Sequence, residues 1–132
     1  MAQKKVINPR SLPQLGLPLS PGIRMGNLVF VSGIVARPDP ATGQWEPDIR
    51  AQVRSCLENI RTILEEGGTS LGHVVSVTSY LKDRRFFDAY NGVYREFFPA
   101  DPPARTTVQA ELMRPEILVE ISCIAAVPPQ GA

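Results

Sequence analysis

The sequence predicts an α+β domain with the element order β-β-α-β-α-β-β. Two segments carry apolar residues at helical spacing, and five others read as strands. The thirteen prolines fall between these segments rather than inside them. That is how punctuation within one fold looks. No internal repeat, low-complexity tract or interdomain linker interrupts residues 1–132, so one domain is expected, with an irregular proline-rich arm over about residues 1–20.

The first sheet element is Leu28-Val29-Phe30-Val31-Ser32-Gly33, a buried-strand pattern. Ile23-Arg24-Met25 is its hairpin partner across Gly26-Asn27, a two-residue turn that suits positive φ. Asp48 can cap a helix whose stripe is Ile49, Val53, Cys56, Leu57, Ile60, Ile63 and Leu64. Gly67-Gly68 ends it. Val74 to Leu81 is β-branched and reads as a strand, with His73 at its start. Asp83 can cap a second helix with Phe86, Tyr90, Val93, Tyr94 and Phe97 along one side. Thr106 to Leu112 and Ile117 to Val127 complete the order as two strands.

Two helices can cover one face of such a sheet. The last strand is nevertheless apolar at both parities: Ile117, Val119, Ile121, Cys123 and Ala125 on one, Leu118 and Ile124 on the other. A sheet with one wet face alternates more cleanly. A second buried face implies another subunit.

Composition excludes several classes. At 132 residues and 43% hydrophobic, the chain can bury a real core, and wholesale disorder is not expected. A net charge of +1 gives no electrostatic reason to expect nucleic acid. No apolar run approaches the roughly 20 residues of a membrane span. The segment Val6-Ile7-Asn8-Pro9 is too short and broken for a signal-peptide core, so a cytoplasmic location is expected. Two cysteines, Cys56 and Cys123, read as reduced core thiols rather than a disulfide framework. With one histidine besides, they offer no metal set.

The chemistry-bearing signal is Arg105 in Pro103-Ala104-Arg105-Thr106-Thr107, followed by Glu120 inside Ile117-Leu118-Val119-Glu120-Ile121. A charge among apolar neighbours is costly unless it is paired or used. A guanidinium is a planar fork that fits a carboxylate two-pronged. A partly buried carboxylate can orient water or move a proton. Together they point to a substrate bearing a carboxylate. The bland alternatives are a salt bridge at a strand start for Arg105, and for Glu120 an outward edge-strand position or a pairing with Arg114. Asn91 reads equally as a helix-surface residue, and Ser32-Gly33 as a strand end where glycine permits close backbone approach. Tyr94, Phe97 and Phe98 read as core.

Several stretches, taken in order, resemble the Rid family. They are Gly26 to Gly33, Gln52 to Leu64, Asn91-Gly92-Val93-Tyr94-Arg95-Glu96-Phe97-Phe98, Pro103 to Thr107 and Val119-Glu120-Ile121. These are the reactive-intermediate deaminases, RidA-like proteins also labelled L-PSP endoribonucleases or translation inhibitors. The likeness spans roughly residues 20 to 127, more specific than any single motif. It implies a chorismate-mutase-like fold with two helices on one face of a mixed sheet, and a homotrimer with sites between subunits. It implies hydrolysis of enamine or imine intermediates, of the 2-iminobutanoate and 2-iminopropanoate type, to 2-keto acids and ammonia, without metal or organic cofactor. Arg105 falls at the family's carboxylate-binding position and Glu120 at its water-orienting one. Ser32, Gly33 and Asn91 match positions near the cleft. The chain departs where the family loop offers a tyrosine, here Leu19-Ser20-Pro21-Gly22, and where Ser-Gly is followed by glutamine, here Ile34. Thr107 stands where many members carry cysteine. A more apolar cleft is expected. The competing reading is a Rid-like trimer that binds a carboxylate metabolite, or acts as a regulatory or protein-protective module, without turnover. RNA cleavage gains nothing from the charge balance or the single histidine.

Overall fold

A computed structural model of the chain describes residues 3–129. Six strands and two helices follow in the order β1 Lys5–Ile7, β2 Gly22–Met25, β3 Leu28–Val35, α1 Ile49–Glu66, β4 Val74–Leu81, α2 Phe87–Phe97, β5 Ala104–Gln109 and β6 Val119–Ala126. Single 3-10 turns at Leu71–His73 and Arg84–Phe86 lead into β4 and α2. The strands form one sheet in the order β1-β2-β3-β6-β4-β5. Only β4 and β5 run parallel, joined through α2, as a parallel pair requires a crossover. The sheet is therefore mixed.

The β2–β3 hairpin turns at Gly26-Asn27, with Met25 opposite Leu28 and Gly26 at φ 61°. Asp48 caps α1 by accepting a hydrogen bond from the Ala51 N–H, as its position ahead of the apolar stripe predicts. Gly68, at φ 89°, reverses the chain after α1. Both helices lie on one face. Val53, Cys56, Leu57, Ile60, Ile63 and Leu64 of α1 and Tyr90 and Val93 of α2 are buried there. Val29, Val31, Val77, Leu81, Val119, Ile121, Cys123 and Ala125 meet them from the sheet.

Several boundaries differ from the sequence reading: β3 runs on past Gly33 to Val35, and β5 spans Ala104–Gln109 rather than Thr106 to Leu112. The arm is not wholly irregular, since Lys5–Ile7 pairs antiparallel with β2. Asp83 caps the 3-10 turn before α2 by accepting from the Arg85 N–H, so α2 itself begins at Phe87. His73 ends a 3-10 turn rather than starting a strand, and its Nδ1 pairs with Ser70 Oγ at 2.9 Å. The last strand begins at Val119, because the buried Gln52 side chain claims the backbone just before it. Gln52 Nε2 donates to the carbonyls of Glu46 and Glu116, each at 2.9 Å, and Gln52 Oε1 accepts from the Leu118 N–H at 2.9 Å.

Among the described residues, no helix or strand covers the face of the sheet away from the helices. That face presents Met25, Phe30 and Val108, all exposed, together with half-buried Leu28, Tyr80 and Ile124. Among the described residues, no helix is long and apolar enough to cross a membrane.

Candidate functional site

Arg105 lies within β5 and is opposite Val77 in β4, which in turn is opposite Cys123 in β6. Val77 and Cys123 are buried against the helices. Arg105 thus points to the helix side of the sheet, at its open edge. Its guanidinium carbon sits 5.7 Å from the ring centre of Phe87, 5.1 Å from Tyr90 and 4.8 Å from Tyr94. Arg105 Nη1 donates to Asn91 Oδ1 at 2.9 Å. The rings of α2 recur at helical spacing, so the stripe that fills the core also floors this charge. Among the described residues no carboxylate lies within 4.0 Å of it. Two other arginines show the contrast: Arg54 pairs with Glu96 at 3.0 Å and Arg85 with Asp83 at 2.8 Å. Arg105 is a half-buried cation held by an amide and three π faces, with no carboxylate partner among the described residues.

Hydroxyls line the ground beneath it. Tyr90 Oη and Ser79 Oγ lie 2.5 Å apart in the core. Burial pushes the Tyr90 hydroxyl above its ordinary range, while the Ser79 bond and the charge of Arg105 pull it back. The Tyr94 hydroxyl is also raised by burial. Tyr94 Oη and Thr107 Oγ1 are buried without a hydrogen-bond partner among the described residues.

Glu120 occupies the opposite face. It pairs in register with Tyr80 of β4 and Val35 of β3, in an interior strand. An edge-strand position is thereby ruled out. Arg114 lies over the Trp45 ring at 5.9 Å, and no cation is within 4.0 Å of Glu120 among the described residues. The β3–β6 register shifts between Val31 and Ile34, so Ser32 and Gly33 bulge out of the ladder. That bulge meets the Glu120 carboxylate. A Cβ on Gly33 would run into Glu120 Oε2 and lie 2.9 Å from its Cδ, so the carboxylate as placed leaves room there for glycine only and would have to move for any side chain. Ser32 is taken up by the preceding loop: its Oγ donates to the Ser20 carbonyl at 2.5 Å and its N–H to the Pro21 carbonyl at 2.9 Å.

The candidate residues therefore gather into two groups. Arg105 and Asn91 meet on the helix side. Glu120, Gly33 and Ser32 meet on the open side. β5 and β6 are separated by β4, about 10 Å at ordinary strand spacing, and the two side chains leave opposite faces. Arg105 and Glu120 do not meet within one chain. Sequence reasoning missed the aromatic floor under Arg105: Tyr94 was legible as core, which it is, but its second role depends on strand pairing. The cysteines are core thiols. Burial raises both, Cys123 to about 12.

A two-helix layer on a mixed six-stranded sheet, with an arginine at one edge and a glutamate on the bare face that have no ion-pair partner among the described residues, defines a two-layer α+β protein. The chain belongs to the Endoribonuclease L-PSP family, the Rid family named above, whose pattern matches residues 11–127. A RutC family protein of Pyrococcus abyssi is 42% identical over 123 residues, covering 92% of this chain and 96% of its own. The 3-aminoacrylate deaminase RutC of Acinetobacter baylyi is 37% identical over 124 residues, covering 94% and 98%. Among solved structures, Escherichia coli TdcF with bound serine superposes with a TM-score of 0.83 at 32% identity, covering 92% of this chain and 98% of that one.

Proposed function

We propose that the chain hydrolyses small 2-imino acids, and the enamines that tautomerise to them, to 2-keto acids and ammonia. The reading includes the 2-iminobutanoate and 2-iminopropanoate type of substrate. The observation that carries it is Arg105, half-buried, fixed by Asn91 and three rings, and without a carboxylate partner among the described residues. A relative named as a 3-aminoacrylate deaminase and a structural neighbour holding serine support a small substrate bearing a carboxylate and a nitrogen.

The chemistry needs little beyond placement. The Arg105 fork takes the substrate carboxylate, and Asn91 keeps the guanidinium from turning. Strand backbone at Gly33, in the bulge, binds the nitrogen. Glu120 accepts a proton from water as the water oxygen bonds to the C=N carbon. That proton passes to the nitrogen and leaves a carbinolamine; Glu120 then relays the hydroxyl proton to the nitrogen as well, the C–N bond breaks, ammonia leaves and the carbonyl forms. Because Arg105 and Glu120 leave opposite faces of one sheet, one protomer supplies Arg105 and Asn91 and its neighbour supplies Glu120, Gly33 and Ser32. The bare apolar face is where copies meet, as a homotrimer.

The test generates imines in place with an amino-acid oxidase and catalase, and follows loss of imine with and without the protein. Acceleration is expected. Keto-acid binding without acceleration would replace this reading with a carboxylate-binding module.

A further inference from the structure

Three large apolar side chains stand in solvent within one short segment: Leu15, Leu17 and Leu19 are 64%, 57% and 51% exposed. Scattered exposed leucines need no explanation, but three at alternate positions of one loop form a patch. This loop is not a loose tail. At its start, Gln14 Nε2 donates to the carbonyls of Pro9 at 3.2 Å and Leu12 at 3.1 Å, and Asn8 Nδ2 donates to Gln14 Oε1 at 2.8 Å. At its end, Ser32 holds the Ser20 and Pro21 carbonyls. Between the two clasps, Gly16 turns at φ 67°. Pro18 fixes its own φ, and the Leu19 N–H closes a tight turn onto the Leu17 carbonyl at 2.7 Å. The backbone thus presents the leucines rather than letting them collapse onto the core.

Their position links them to the open-side group. Leu19 is one residue from Ser20, whose carbonyl is bound by Ser32. Ser32 adjoins Gly33, and Gly33 touches the Glu120 carboxylate. A substrate with its carboxylate on Arg105 and its reacting carbon at Glu120 has one group left to place, the side chain on the imine carbon. We infer that Leu17 and Leu19 form the apolar wall that receives this side chain, so that imines with branched aliphatic side chains are preferred over the methyl-bearing one. The inference rests on the deaminase reading for its reaction, and on the loop alone for its selectivity.

The preference is read as the ratio of kcat/KM for the leucine-derived imine to that for the alanine-derived imine. The chain should favour the leucine-derived imine, and the double variant Leu17→Ser/Leu19→Ser should lower the ratio roughly 10-fold or more, the scale of lost apolar contacts in a pocket. Met113→Ser, which removes a side chain 89% exposed outside this loop, should leave the ratio unchanged. A ratio unmoved by the double variant overturns the wall. So does a change accompanied by dissociation of the oligomer in sedimentation, which would put the leucines at a subunit contact. If no imine is turned over at all, the deaminase reading fails by itself. Calorimetry with 4-methyl-2-oxopentanoate against pyruvate then decides the wall: tighter binding of the branched acid, lost in the double variant, supports it, and equal affinities end it.

Discussion

Arg105 is the residue whose surroundings make least sense without a ligand. A guanidinium set on three rings with one amide partner has been relieved of part of its water and given no counter-charge among the described residues. Arg105→Lys keeps the charge and loses the fork. Imine turnover should fall to a small fraction of wild type, with keto-acid affinity falling alongside and the thermal midpoint little changed; full turnover would remove Arg105 from the site. Glu120→Gln keeps shape and loses the proton acceptor. Its turnover should drop roughly 10²-fold, while pyruvate affinity, set by Arg105, moves little by calorimetry. Gly33 ties the open-side group together. Gly33→Ala puts its Cβ where the Glu120 carboxylate lies, and because that carboxylate is the far end of a flexible side chain it must swing aside at a small cost in stability. In a Glu120→Ala background most of that cost should vanish, so a double-mutant cycle from urea unfolding reads the contact directly. In the sequence Glu120 stands out as a charge between apolar strand residues, and Arg105 as a charge that opens a strand-like run after a proline-rich loop. That they leave opposite faces was not legible there, because it depends on the register of β5 on β4 and of β4 on β6.

At the level of elements, the strands and helices that bury a full stripe announced themselves, and short or borrowed ones did not. The α1 helix was readable from the Asp48 cap through its stripe to Gly67-Gly68, and the β2–β3 hairpin from Gly26-Asn27. The three residues of β1 were not, since their pattern is too short to show a period and their stability comes from pairing with β2. The start of β6 was misplaced for a different reason. Its approach is organised by Gln52, a side chain sixty-odd positions away in sequence, binding Glu116 and Leu118. Gln52→Leu would leave the Glu46 and Glu116 carbonyls and the Leu118 N–H without that partner. The cost should be about 1–3 kcal/mol or more in urea unfolding. Hydrogen exchange should show the loss of protection centred on residues 116–118 rather than spread over α1.

At the scale of the whole molecule, the separation of Arg105 from Glu120 and the bare sheet face both support the proposed second copy. If one protomer supplies Arg105 and its neighbour supplies Glu120, two inactive proteins can make an active one. Arg105→Lys protomers keep Glu120, and Glu120→Gln protomers keep Arg105. In a cyclic trimer containing both, one of the interfaces joins an intact Arg105 to an intact Glu120, whichever variant is in excess. Random assortment of equal amounts then restores about a quarter of wild-type sites. Co-expressed and purified through two different tags, the mixed oligomer should therefore recover a substantial fraction of imine turnover, although each parent alone has almost none. Light scattering on the same sample should give the mass of three chains. Placing a charge on the bare face, as in Phe30→Asp, should return the chain to monomers and abolish the recovery. If the mixed oligomer forms and stays as inactive as its parents, Arg105 and Glu120 do not share a site across the interface. A stable monomer that turns over imines would remove the intersubunit site altogether.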